Sequence, residues 1–141
     1  MLFDNFGEFE KSLDNWVKET DLLFKDILKR LAFEIQDRVI DRTPVDSGAA
    51  RASWNLTVRT PNTEVQEPPK RKKRGRKAAL EAARSLRKGL PDFDPYNDTI
   101  WLTNATPYIL HLEHGSSKQA PVGMVAVTIA EVEAGLIIRL L

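Results

Sequence analysis

The chain has 141 residues, 42% of them hydrophobic, with three Trp, six Phe and no Cys. That length suits one domain and is short for two, and the apolar content is enough for a core; the missing cysteine excludes disulfides, thiolate nucleophiles and Cys-ligated zinc, and suits a reducing cytoplasm. The net charge of +1 hides an asymmetry: ten basic residues and Glu81 give residues 70–88 a charge of +9, which leaves −8 on the rest of the chain.

The N-terminal stretch MLFDNFGEFEKSLDNW places acids where a signal peptide needs a basic start and an apolar run. No segment approaches the roughly 20 apolar residues that span a bilayer. The expectation is a soluble, intracellular protein with no membrane partner. Residues 5–42 form one predicted helix, because Phe6, Phe9, Leu13, Trp16, Val17, Leu23, Phe24, Ile27, Leu28, Leu31, Ile35 and Val39 recur at steps of three and four. Lys11, Asp14, Lys18, Asp21, Lys25, Lys29 and Asp37 supply a solvated face. The KETD run at Thr20 leaves room for a break and a fresh N-cap. Pro44 ends the helix by disfavouring helical geometry at Thr43.

Pro44, Asp46, Ser47 and Gly48 predict a turn. SWNLTVRT then alternates, with Trp54, Leu56 and Val58 on one face, the pattern of a half-buried strand that Pro61 ends. Residues 62–97 show no core pattern, and KRKKRGRK is too charged to pack. AALEAARSLRKGL has helix-forming composition, with Gly89 as C-cap and Pro91 behind it, but three turns are marginal in isolation. PDFDPYND is a turn-rich return to a second strand, TIWLTN. ATPYILHLEHG fits a strand by the alternation of Tyr108, Leu110 and Leu112, or a helix by the step from Ile109 to Leu112; a strand leading into a helical turn is expected. Val125, Ile129, Val132, Leu136 and Leu140 predict a C-terminal helix, its β-branched residues leaving a strand open.

Little of this carries chemistry. His111, Glu113 and His114 are the candidate metal or acid–base group, but they lack the two-histidine, i and i+4 spacing of a zinc helix. Ser47 and Ser53 have no nucleophile elbow, and the glycines form no phosphate-cradling loop. Trp16, Trp54 and Trp101 are expected in the core, since they do not interleave with the basic run as a base-stacking platform would. The run itself, Lys70, Arg71, Lys72, Lys73, Arg74, Arg76, Lys77, Arg84, Arg87 and Lys88, has three readings: a solvated loop, a phosphate contact on nucleic acid, or an arm that orders on an acidic neighbour. A nuclear-localisation signal is open from composition alone.

RTPVDSGAARASW and, further on, TNATPYILHLEHGSSKQAPVGMV together resemble the neck or tail-completion proteins of long-tailed double-stranded-DNA bacteriophages, a family of tail components. The matching residues are Thr43, Pro44, Val45, Asp46, Ser47, Gly48, Ser53 and Trp54. Asn104, Pro107, Tyr108, Leu112, Glu113 and Gly115 follow, then Gln119, Ala120, Pro121, Gly123 and Met124. The resemblance implies an α+β fold: a long N-terminal helix and a C-terminal helix packed on a small antiparallel sheet, with a long basic arm inserted between strands at about residues 62–97 of a single domain, 1–141. It implies a structural virion protein, neither an enzyme nor a cofactor binder. Such a protein is made in the host bacterial cytoplasm and forms a homo-oligomeric ring, of six copies to match a six-fold tail tube. The ring meets portal-side or head-closure proteins on one side and the tail terminator or tail tube on the other, with packaged DNA in its channel. Pro44, Asp46 and Gly48 would fix a turn, and Tyr108 and Glu113 would lie at a subunit edge or in the core. The alternative is a small, non-specific DNA-binding protein acting through the arm. A free arm also predicts that residues 67–88 can be removed without loss of the fold.

Overall fold

A computed structural model of the chain describes residues 6–46 and 48–140, without the side chains of residues 6–10, 13, 17, 22 and 136–140. The stripe positions Phe6, Phe9, Leu13, Val17, Leu136 and Leu140 therefore lie outside the described side chains, and Ser47 lies outside the described residues.

Helix α1, Phe6–Arg42, runs 37 residues without a break, about 55 Å at the usual helical rise. Thr20 does not cap a new helix. Its hydroxyl donates to the Trp16 carbonyl at 2.9 Å, four residues back, which keeps it inside the helix. The helix stops where expected: the Thr43 N–H still reaches the Val39 carbonyl at 3.0 Å, and Pro44 has no N–H to continue. A turn through Gly48 leads into the short helix α2, Ala49–Ala52, and the strand β1, Asn55–Val58. A 3-10 turn at Arg71–Lys73 and helix α3, Arg76–Arg87, follow before strand β2, Ile100–Thr103. The chain closes with α4, Ile109–Glu113, and α5, Val125–Leu140.

β1 and β2 form a two-stranded antiparallel sheet with Leu56 opposite Leu102 and Val58 opposite Ile100. The sheet, α3 and α5 all pack on α1. Val39, Ile40, Trp54, Ala83, Ala120 and Met124 are buried together, with Ile35, Ala79, Leu80, Leu102, Ile109 and Leu112 against them. This is the α+β arrangement that the sequence implied, a long N-terminal and a C-terminal helix on a small sheet with a basic insertion between its strands.

Four expectations need correction. The insertion does contribute to the core. α3 lays Ala83, Ala79 and Leu80 on α1, and Phe93 in the return loop is 4% exposed, with the Lys25 and Lys29 ammonium groups 5.5 and 6.0 Å from its ring. Residues 105–113 contain no strand: the chain turns at Pro107 and Tyr108 and enters α4, so the step from Ile109 to Leu112 faces the core rather than the alternation at Tyr108, Leu110 and Leu112. The buried stripe of α5 begins with Met124 and Thr128, both fully buried, one position before the predicted Val125 and Ile129. Thr128 is buried at low cost because its hydroxyl donates to the Met124 carbonyl at 2.6 Å and accepts Arg42 Nη1 at 2.8 Å. Of the three tryptophans only Trp54 is in the core. Trp101 points away from Leu102 on the outer sheet face, with its Nε1 on the Arg59 carbonyl at 3.1 Å, and Trp16 is 64% exposed.

Candidate assembly interface

Three separated sequence motifs meet around the C-terminal end of α1. Thr43 donates its hydroxyl proton to the Val39 carbonyl at 2.5 Å and accepts Trp54 Nε1 at 2.7 Å. The last turn of α1 is thereby bound to the residue that precedes β1. Arg51 is buried, and its Nη2 and Nε donate to the Thr43 carbonyl at 2.8 and 3.2 Å, while Nη1 reaches the Arg74 carbonyl at 3.2 Å. Burial, and then Arg76 nearby, lower its pKa from the ordinary value, opposed by Asp41. A cation placed on the free carbonyls of a helix C-terminus is favoured by the helix dipole. Gly48 has φ +88, and a β-carbon there would come 2.9 Å from Cγ of Arg74. Pro44 is buried and Asp46 exposed.

The later motifs attach to this turn. Asn104 Nδ2 donates to the Ala50 carbonyl at 2.8 Å, and its Oδ1 accepts the Thr106 N–H at 3.1 Å and the Thr106 hydroxyl. Gln119 meets Val45 from both sides, accepting its N–H on Oε1 at 3.1 Å and donating Nε2 to its carbonyl at 3.4 Å. Glu113 caps α5. Its Oε2 accepts the N–H groups of Met124 and Val125 at 3.0 and 2.9 Å, and its Oε1 accepts that of Ala126 at 3.0 Å. Burial pushes the Glu113 carboxyl up, but the three N–H donors, with His114 nearby, outweigh it and hold the pKa below the ordinary carboxylate value. Gly115 and Gly123 let the two loops touch backbone to backbone. A β-carbon on Gly115 would lie 2.3 Å from the Pro121 oxygen, and one on Gly123 2.2 Å from the Glu113 oxygen. Met124 is fully buried, whereas Pro107, Tyr108 and Pro121 are exposed. The cap was missed because on a strand Glu113 would have shared a face with His111; the signal available was the Gly-Met step opening an apolar helical run.

The histidines do not converge on anything. His111 and His114 are exposed, and among the described residues no group of His, Cys, Asp and Glu side chains could hold a metal ion. No described helix is long and apolar enough to cross a membrane.

The basic residues divide into two sets. Four arginines bond groups of their own chain, Arg76 and Arg84 from the surface. Arg87 donates Nε to Gln36 at 2.7 Å and Nη2 to Asp37 at 2.5 Å and to the Phe33 carbonyl at 3.2 Å, lying 4.9 Å from the Phe33 ring. Arg84 pairs with Asp37 at 3.5 Å, Arg76 with Asp41 at 3.4 Å, and Arg74 Nε donates to the Pro69 carbonyl at 3.0 Å. Part of the acidic body thus receives the basic insertion within the same chain. Lys70, Arg71, Lys72, Lys73, Lys77 and Lys88 are exposed, and none makes an ion pair among the described residues. They form a cationic edge around the 3-10 turn and α3. Beside it a cleft of about 160 Å³ opens between α3 and the Gly48–Trp54 turn, with Ile40 of α1 at its floor, lined also by Pro69, Ala78, Ala82 and Leu86.

A small α+β body whose motif residues brace backbone and whose free side chains form a charged edge is the make-up of a structural component. The family described as "Bacteriophage HK97-gp10, putative tail-component" matches residues 7–83, more than half of the chain, and the chain belongs to that family. The match spans α1, the turn, β1 and most of α3, while the motifs at 104–124 lie beyond it. The protein is a structural tail component of a bacteriophage, in agreement with the neck and tail-completion resemblance. Neither a curated protein nor a solved structure matches the chain.

Proposed function

We propose that the protein is a structural virion protein of the phage neck, acting in a single domain as a ring that joins the DNA-filled head to the tail tube. Six copies would match a six-fold tube, with the portal or head-closure side as one partner and the tail terminator or tube protein as the other. No catalytic, metal or cofactor role is assigned to any residue. The observation that carries the reading is membership of the tail-component family over residues 7–83. The exposed cations Lys70, Arg71, Lys72, Lys73, Lys77 and Lys88 are its contact residues; Arg76, Arg84 and Arg87 hold the insertion to its own body, and Arg74 braces the insertion on Pro69.

Deleting residues 67–88 is a poor test, because it removes Ala83 from the core and Arg87 from its partners on α1. Replacing Lys70, Arg71, Lys72 and Lys73 by Ser removes charge without touching a described ion pair. The variant should fold with unchanged Tm, while phage carrying it accumulate filled heads and separate tails. Normal yields of joined, infectious particles would contradict the role given to this edge. The exposed cations also favour a second reading, phosphate binding to duplex DNA, which predicts affinity for any sequence that falls steeply with salt.

A further inference from the structure

The cationic edge and the cleft beside it have no partner among the described residues, and neither do residues 11–20 of α1 outside their own helix; contacts with the rest of the chain begin where Asp21 and Phe24 meet Tyr96. Every described side chain from residue 11 to residue 20 is exposed, Trp16 at 64%, and further along Leu23 is 61% and Ile27 46% exposed. Apolar side chains at helical spacing on a projecting helix are a surface that buries itself on association. The same half is acidic: Glu8, Glu10, Asp14, Glu19 and Asp21 against Lys11 and Lys18 give residues 6–24 a charge of −3.

We propose that the N-terminal half of α1 docks in the cleft between α3 and the Gly48–Trp54 turn of a second copy. Trp16 and its apolar neighbours sit against Ala78, Ala82 and the 79%-exposed Leu86, above the buried Ile40, and the acids lie against Lys70, Lys72, Lys73 and Lys77. The chain cannot make this contact with itself. α1 is unbroken between Trp16 and Ile40, so those residues stay about 36 Å apart along one rigid axis. The interface is heterologous, one end of a copy on a different patch of the next, and such contacts close into a ring when the rotation per copy fits. Opposite charge sets the register and speeds the encounter, and the apolar contact holds it. The proposal rests on the ring reading above and gives that ring its repeating contact.

The native chain has no cysteine, so single cysteines report contacts cleanly. Ser12→Cys and Ser85→Cys are exposed on the two proposed faces. A short bis-maleimide should link a mixture of the two variants into heterodimers and leave each variant alone largely unlinked. The product should disappear with Asp14→Lys and Glu19→Lys, and disappear with Lys72→Glu, Lys73→Glu and Lys77→Glu. It should return when copies bearing the first set are mixed with copies bearing the second. Self-linking of Ser12→Cys alone, which signals α1 paired with α1, would overturn the proposal. So would absence of the mixed product both in solution and in assembled particles; salt-sensitive binding of duplex DNA through the lysine set would then assign that edge to phosphate. The outcome is separable from the neck reading. A cross-link in a protein located elsewhere on the virion keeps this interface and removes the neck role; a neck location with no cross-link does the reverse.

Discussion

Glu113 shows how one side chain sets two parts of the chain at once. Its carboxylate takes three N–H groups at the start of α5, which otherwise lack partners inside the helix. Because its folded pKa lies below its unfolded one, it contributes stability at neutral pH and down to the unfolded carboxylate pKa, and that stability is lost as pH falls through the lower, folded value. Glu113→Gln should cost about 1–2 kcal/mol in urea melts at pH 7, the scale of a lost cap. The gap between variant and parent should narrow on acidification below about pH 4. The nearby glycines give a paired test. Gly115→Ala and Gly123→Ala combine a positive φ with a backbone oxygen within 2.3 Å of the new methyl, so each should cost more than about 2 kcal/mol. Gly135 lies within α5, and a methyl group added there would meet nothing within 4 Å, so Gly135→Ala should stabilise by about 0.5–1 kcal/mol. Denaturant midpoints of the three variants check the contrast.

At the scale of elements, α3 turns the basic segment from a free loop into part of the body. Its inward face is alanine, with Ala83 at 6% exposure, and Arg87 extends it along Gln36, Asp37 and Phe33. Arg87→Ala should destabilise by about 2 kcal/mol, since it leaves a half-buried Asp37 and Gln36 short of a donor, whereas Lys72→Ser should leave thermal unfolding within about 0.5 kcal/mol of the parent. The same elements show what a sequence makes legible. α1, β1 and the position of α5 follow from period and proline, because large apolar residues mark a face. The docking of α3 was hidden because alanine marks no face and arginine signals solvent, although here its guanidinium packs against α1. The α5 stripe was one residue off because a threonine with both hydrogen-bonding needs met can be buried as readily as a valine. Trp101 was misplaced because a two-stranded sheet covers only one side, and no alternation says which side is covered by a helix. The turn at Thr43, Pro44 and Gly48 was legible as a turn. Arg51 stood inside the same motif, yet its contact with the Thr43 carbonyl depended on the α1–α2 angle, which periodicity does not give.

For the whole molecule, the charge separation has two destinations. Arg76, Arg84 and Arg87 direct part of it to Asp37 and Asp41 of the same chain, and Lys70, Arg71, Lys72, Lys73, Lys77 and Lys88 keep the rest facing outward. That outward set is open to a partner, and tail-component family membership over residues 7–83 supports the proposal of a ring at the head–tail junction. Cryo-electron microscopy of intact particles tests this most directly. The account predicts a closed ring between portal and tail tube into which the α1–α3–sheet body fits, with the Lys70–Lys73 edge of each copy against its neighbour. Density for this body at the tail tip or along the tube, with none at the junction, would contradict it.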